Sequence, residues 1–462
     1  KSMQAVPRRI PIVLQNNSSL SNAFVTMAPW RSEFYSMPSQ DYNFIGGLDW
    51  LNMLATHEYR HMVQFQRSIT GFNKFLFYAF GQEATSAMAF ASAPQWFWEG
   101  DAVASETAFT SYGRGRMPGF DRMFRANLLE GRTFNYNKQY LRSYRHFISN
   151  HYVLGYEMIS YLRKQTNNPD VWSNIAGRTW RMPFIPFAFS RSLKKETGMS
   201  TPRLYKKMAG ELKSQYEEDL TKIQLTSFEV VSVRKGYAYT NFLFPQVLED
   251  GSIAALKRGI GDVDQIVVFK EGQLPSRKFI TAPFNESGLL SASGSTVVWN
   301  EYRYDPRWPV RNYSVVRGYD FNSKQKNSVS NSRYAGAAIS PDNKKVVTIE
   351  TSTSYRTSMA VINYPEGNLI KRFNNPDNAF YSMARWASDG QSIVALKNTG
   401  NGKSVVLVDF QTGSERELRP PSKENIGHPV LVPGYLLYNS PYSGIDNIYA
   451  LDLKTGKEFQ VT

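Results

Sequence analysis

Apolar positions recur with a helical period along the first half of the chain and alternate with polar ones along the second. Two β-rich stretches come first, "RIPIVLQN" and "NAFVTMAPW", with "NNSS" as the turn between them. The pattern then predicts helices at about 49–67, 74–92, 95–108, 138–149, 151–165 and 201–222. In the last of these Thr201 reads as the N-cap and Pro202 as the first helical residue. From about 228 the chain changes to short β-branched runs separated by Gly, Asp, Asn and Ser. "LEDGSIAAL", "SASGSTVVW", "SPDNKKVVTI", "ASDGQSIVAL" and "VPGYLLYN" each place a tight turn before a strand. Their turn residues Gly251, Gly294, Asn343, Gly390 and Gly434 recur at intervals of about 45 residues. Most units add a further strand and turn, as in "SVVLVDFQTG" and "NIYALDLKTG". That period and content predict propeller blades, four-stranded sheets that bury their faces against one another. The expected architecture is multidomain: a mainly α (α+β) domain over 1–224, then an all-β propeller of about five blade-like repeats over 228–462.

Composition narrows the chemistry. A chain of 462 residues, 42% hydrophobic and 14% aromatic, is long and apolar enough to fold as more than one domain. Its most apolar stretch, 72–98, is interrupted by Lys74, Gln82, Glu83 and Pro94 and does not reach the length of a membrane span. Buried helices are expected there, with the 72–95 segment packed against the rest of the fold; contact with lipid or a partner is the competing reading. Cysteine is absent, so neither disulfides nor thiolate chemistry contribute. The net charge of +15 is spread over both halves without a nucleic-acid recognition motif. It predicts a basic surface suited to an anionic membrane or an acidic partner, and no nucleic-acid ligand.

The expected first helix contains "THEYRH", residues 56–61. Imidazoles four residues apart on a helix share a face, so His57 and His61 can hold one metal ion while Glu58 points at a water on it. Zinc brings the pKa of such a water towards about 7, and the glutamate takes the proton as the water attacks. HExxH alone is short enough to arise by chance. A third ligand is required, and without cysteine a carboxylate is the natural choice, His146 and His151 being the other histidines near by in sequence. Glu83 in "GQEATSAMAF" and Glu99 in "WFWEGDAVASE" compete, the shorter gap from His61 favouring Glu83.

"WEGDAVASE" resembles the "NEGFAxYxE" signature of the gluzincin aminopeptidases and their relatives, the peptidase-MA-like domains. The resemblance implies that Glu99 is the third zinc ligand, with Glu83 as its rival, and that Glu106 orients a ligand histidine. "HYVLGYEMISYL" is similar to the family's "YxxGxxxxxYL" helix, which implies that Tyr152 stabilises a tetrahedral oxyanion and that Gly155 permits close helix packing. "SLKKETGMSTPRLYKKMAG" resembles the tail of peptidase-MA-like domains, so the likeness spans about 45–224. The family's "GxMEN" substrate-amine motif is missing: "SNAFVTMAP" lacks its glutamate, so an endopeptidase is expected, not an aminopeptidase. The repeats over 228–462 resemble the TolB-like (WD40-like) propeller.

These likenesses imply a zincin-type, Zn2+-dependent metallopeptidase whose propeller binds substrate or a protein partner, in the bacterial periplasm or at the cell surface. The alternative is an envelope binding or assembly protein working through its propeller, with a structural or vestigial metal site. The presence of Glu58 favours the enzyme, since a purely structural site has no need of a base between its ligands. The array is also expected to be incomplete, the last blade meeting a gap or another chain unless 228–240 closes the ring.

Overall fold

A computed structural model describes residues 2–37, 40, 50–233, 238–261, 263–280, 290–308 and 310–462. It resolves into two compact units. One comprises Lys1–Gln15, Asn22–Phe34 and Asp49–Gln224, the other Asn16–Ser21, Tyr35–Leu48 and Leu225–Thr462. The expected first domain is thus not one unbroken stretch of 1–224. Polar side chains account for the difference. Asn312 of the β unit accepts from the Ser19 amide at 2.6 Å and donates to the Ser18 hydroxyl at 2.9 Å. Gln40 donates to the Tyr381 carbonyl at 3.1 Å and accepts from the Met383 amide at 3.3 Å.

The first unit begins with three strands, β1 (Ile12–Gln15), β2 (Ser21–Thr26) and β3 (Arg31–Ser36), in the order β1-β3-β2. The helices that follow are α1 (Trp50–Ser68), α2 (Gly71–Ser92), α3 (Gln95–Phe109), α4 (Arg122–Leu129), α5 (Tyr136–Leu141), α6 (His151–Thr166), α7 (Val171–Arg181), α8 (Ala188–Thr197) and α9 (Thr201–Thr221). Helix α3 is the hub. Trp96, Phe97 and Trp98 are all buried, and they pack against Trp172, Trp180 and Phe189 of α7 and α8. Most of α3 is buried, its carboxylates included, and it has α1 and α6 as its main neighbours. Helix α9 is capped at Ser200, with Thr201 already inside and buried, one position earlier than expected. The helix expected at 138–149 stops at Leu141 because Arg142 turns to φ 67°. The chain then runs without regular structure to Asn150, whose side chain caps α6 by accepting from the Tyr152 and Val153 amides.

The apolar stretch 72–95 is helical, as its pattern requires, but α2 breaks at Gly81 (φ 81°, ψ −169°). Its expected burial is not what is found. Phe75, Tyr78 and Phe80 are all more than half exposed, and only Asn73, Thr85 and Ala89 of the helix are buried. Among the described residues, no helix is long and apolar enough to cross a membrane.

Among the described residues, the second unit contains five four-stranded antiparallel sheets, spanning 240–280, 291–332, 334–372, 380–422 and 427–460, each formed from one contiguous stretch. Successive sheets pack on one another in the manner of blades. Gly251, Gly294, Asn343, Gly390 and Gly434 all lie in turns between the first two strands of a sheet, and all have positive φ, from 55° to 82°. That explains why glycine or asparagine punctuates every repeat. The inner faces are filled by Val, Ile, Leu and Ala from alternating positions. The possible closing strand, 228–240, falls partly on residues outside the described set. Residues 228–233 join no sheet, and Val231 packs on the first blade instead of pairing with the last.

Candidate metal centre

The HExxH segment lies in the middle of α1, where Met53, Leu54, Met62, Val63 and Phe65 provide the apolar face that holds the helix in the core. His57, Arg60, His61 and Gln64 form a second, polar stripe at helical spacing, and all four are buried. The imidazoles stand nearly perpendicular (82°) with ring centres 4.8 Å apart, and their Nε2 atoms approach to 3.2 Å. Glu99, in the second turn of α3, brings its Oε2 to 3.3 Å from each of those nitrogens. The three donor atoms therefore form a near-equilateral triangle. Ligand atoms about 2.0–2.1 Å from one tetrahedral ion lie about 3.3–3.4 Å apart, so the triangle has the size of a zinc-binding face.

Tautomers decide whether those atoms offer lone pairs. His57 Nδ1 lies 2.7 Å from Glu106 Oε2, and His61 Nδ1 lies 2.9 Å from Gln64 Oε1. Gln64 cannot present its amide the other way, because its Nε2 donates to the Trp98 carbonyl at 3.0 Å and to Asp101 at 2.9 Å. In its neutral form each imidazole thus carries its proton on Nδ1 and directs its Nε2 lone pair at the triangle. Glu99 Oε2 is buried without a hydrogen-bond partner of proper geometry. Burial opposes charge on both residues, yet Glu99 holds the His61 pKa up at about 9, and His61 then His57 hold the Glu99 carboxyl well below the usual carboxylate range. Two imidazoles and a carboxylate, all pre-oriented, fit zinc, which would bind in place of the proton that His61 shares with Glu99.

Around this face stand the groups that could act on a substrate. Glu58 is buried beside the ligands, and burial is the main reason that its pKa is raised. Tyr152 lies in the first turn of α6 with its ring centre 6.3 Å from that of His57; burial, then the neighbouring Glu99, push its pKa up. α6 reaches this position through a contact without side chains. A Cβ on Gly155 would come within 1.9 Å of the Trp96 carbonyl, and one on Gly100 within 2.1 Å of Gly155. Only glycine at both places lets α3 and α6 approach so closely, and this contact lies one residue beyond Glu99 and one turn beyond Tyr152.

Two supports have no counterpart in the sequence reading. Arg114, in a short turn after α3, forks onto Glu106 through Nε (2.8 Å) and Nη2 (2.9 Å), adds its backbone amide at 3.0 Å, and lays its guanidinium over the Tyr152 ring at 4.9 Å. Its Nη2 also lies 2.8 Å from His57 Nδ1, a donor–donor approach that arises because both groups donate to Glu106 Oε2. Asp101, fully buried, receives Arg60 at 2.6 and 3.0 Å and Arg163 at 2.8 Å, joining α1, α3 and α6 behind the ligands. Burial opposes its charge, but the arginines hold its pKa down at about 2. The polar stripe at 57, 60, 61 and 64 was the signal for Asp101's partners; Arg114 lies in irregular chain and gave none.

Glu83 is not at the site. It is exposed on α2, beyond the break at Gly81, whereas Glu99 lies on the helix packed against α1. His146 lies on the irregular segment beside Phe134, and His151 precedes Tyr152 on α6.

No family model matches the chain, and no curated protein matches it in sequence. Solved propeller structures are similar at low identity. TolB from Acinetobacter baumannii aligns at 15% identity and a TM-score of 0.39, covering 48% of this chain and 54% of that one. A putative TolB from Agrobacterium tumefaciens aligns at 13% and 0.32, covering 41% and 65%. The β-propeller domain of the Trilobed protease from Pyrococcus furiosus aligns at 14% and 0.29, covering 39% and 58%. This chain spans less than two thirds of the length of each.

Proposed function

We propose that the helical unit is a zinc-dependent metallopeptidase of the HExxH type, acting within peptide chains, and that the blades serve as a platform for substrate or a protein partner. One observation carries the reading: three lone-pair donors of His57, His61 and Glu99 converge at tetrahedral spacing, their tautomers set by Glu106 and Gln64, with Glu58 alongside. Bound there, zinc supplies Lewis acidity towards a water molecule and a peptide carbonyl. Glu58 takes up a proton from the attacking water and returns it to the leaving amine nitrogen, a task suited to a buried carboxylate of raised basicity. The Tyr152 hydroxyl donates to the oxygen that becomes negative, and Arg114, stacked on its ring, keeps the phenol oriented. The missing glutamate of the amine-binding motif supports cleavage within chains. The TolB-like repeats suggest a bacterial envelope location.

Metal analysis of the purified chain, paired with casein digestion, tests this. Close to one zinc per chain and a proteolysis abolished by chelation and restored by zinc are expected. Bound zinc without hydrolysis of any peptide or protein offered would favour an assembly protein with a structural metal.

A further inference from the structure

The exposed part of α2 offers a second reading of the molecule, independent of the metal centre. Its first half, 71–80, carries "GFNKFLFYAF", apolar on nearly every side, and the Gly81 break separates it from the second half, where Thr85 and Ala89 are buried. Phe75 is 56% exposed, Tyr78 76% and Phe80 67%. The loop after α7, "MPFIPF", adds Phe184 at 54% and Phe187 at 82%. Phe72 joins the helix to the loop: it contacts Phe184 (5.1 Å between ring centres) and Phe75 (5.8 Å), and Phe75 contacts Phe80 (6.3 Å). Nor is the half-helix loosely attached. Gly71 sits directly against Arg181, and the Thr85 hydroxyl donates back to the Asn73 carbonyl.

Charge identifies what the patch faces. Residues 67–82 hold two Lys or Arg, residues 178–195 hold five, and neither stretch contains Asp or Glu. Arg8 adds a guanidinium over the rings of Trp30 (4.7 Å) and Phe77 (5.5 Å). A second copy of the same face would bring like charges together and be repelled. Aromatic side chains bordered mostly by basic ones, with Glu83 just past the break and Glu196 paired to Arg178 as acidic exceptions, suit an interface where rings enter the acyl boundary and cations meet phosphates. We propose that the first half of α2 and the 182–187 loop form a docking surface for anionic phospholipid bilayers.

Sedimentation of the full chain with vesicles tests the proposal. Phosphatidylcholine vesicles containing phosphatidylglycerol should pellet the protein, and pure phosphatidylcholine should bind it about tenfold more weakly. A Phe75→Ser, Phe80→Ser double variant and a Lys74→Glu, Arg181→Glu double variant should each lose about tenfold in binding, with unchanged circular dichroism. Raised salt should weaken binding of the unsubstituted chain. No binding to the anionic vesicles, or equal binding by all variants, overturns it. So does a lipid-free dimer that the Phe75→Ser, Phe80→Ser variant dissociates, which would assign the patch to a second copy.

Discussion

At the scale of single residues, the centre depends on where a few protons sit. Glu58 is not among the converging donors, so removing its charge leaves the ligand triangle intact. Glu58→Gln should retain zinc by metal analysis while turnover falls about 10²–10⁴-fold, the range for loss of a general base. Loss of the metal in that variant would mean that Glu58 is structural. Arg114 acts one step further out. Its fork neutralises the buried Glu106 carboxylate, which in turn sets the His57 tautomer, so Arg114→Ala leaves Glu106 charged without its cationic partner beside a ligand. Zinc affinity, measured by competition with a chromophoric chelator, should fall about 10–100-fold. Glu157 on α6 is a different case, buried near Asp121 and Arg125 and away from the metal ligands. Burial, then Asp121, push its pKa up to about 8 from 4.5. In the fold it stays protonated while the unfolded chain ionises, so its own contribution to stability is highest below about pH 4.5 and falls as pH rises towards 8. Glu157→Gln should flatten that slope in thermal unfolding between pH 5 and 8, where it should be stabilising by a few kcal/mol, as an order of magnitude.

At the scale of elements, the site is the product of one close helix contact. Gly155→Ala drives a methyl into the Trp96 carbonyl and the Gly100 backbone, neither of which can move aside like a flexible side chain. It should cost at least about 3 kcal/mol in denaturant unfolding. Gly210→Ala is the control. That glycine is exposed on α9 with nothing within 4 Å of the added methyl, so the change should stabilise by about 0.5–1 kcal/mol. The same contrast explains what the sequence disclosed. α1, α3 and α6 were readable because each carries chemistry at a fixed spacing, and the motif around Glu99 outweighed the shorter gap to Glu83. The blades were readable because every repeat needs a residue of positive φ at one turn. Helices α4, α7 and α8 and strand β3 were missed. α7 and α8 owe their existence to tertiary burial of Trp172, Trp180 and Phe189, and short amphipathic segments reveal little of that in advance. Arg114 was invisible for a related reason: only the folded turn brings it to Glu106.

At the scale of the whole molecule, the connection between the two units is not a simple tether. The stretch 221–230 is exposed at every position, and 223–230 has no regular structure, which makes it the natural place for proteolytic nicking. Lys222 offers trypsin a cut there. If the units were joined only by that stretch, a single cut would separate a helical fragment from a β fragment. Instead, Asn16–Ser21 and Tyr35–Leu48, which precede the cut, belong to the β unit. Ser18 and Ser19 are buried and bonded to Asn312, and Gln40 is buried and bonded to the Tyr381 and Met383 backbone. Those hydrogen bonds lie in dry surroundings, where leaving the partners unpaired costs about 1–3 kcal/mol for each group. Brief trypsin treatment should therefore give two fragments on a denaturing gel that still elute together at the intact volume in size exclusion. Asn312→Ala with Gln40→Ala should weaken that association, releasing the fragments at lower urea than in the nicked parent. Separate elution of the nicked parent without denaturant would show that the early segments do not hold the β unit to the rest of the chain.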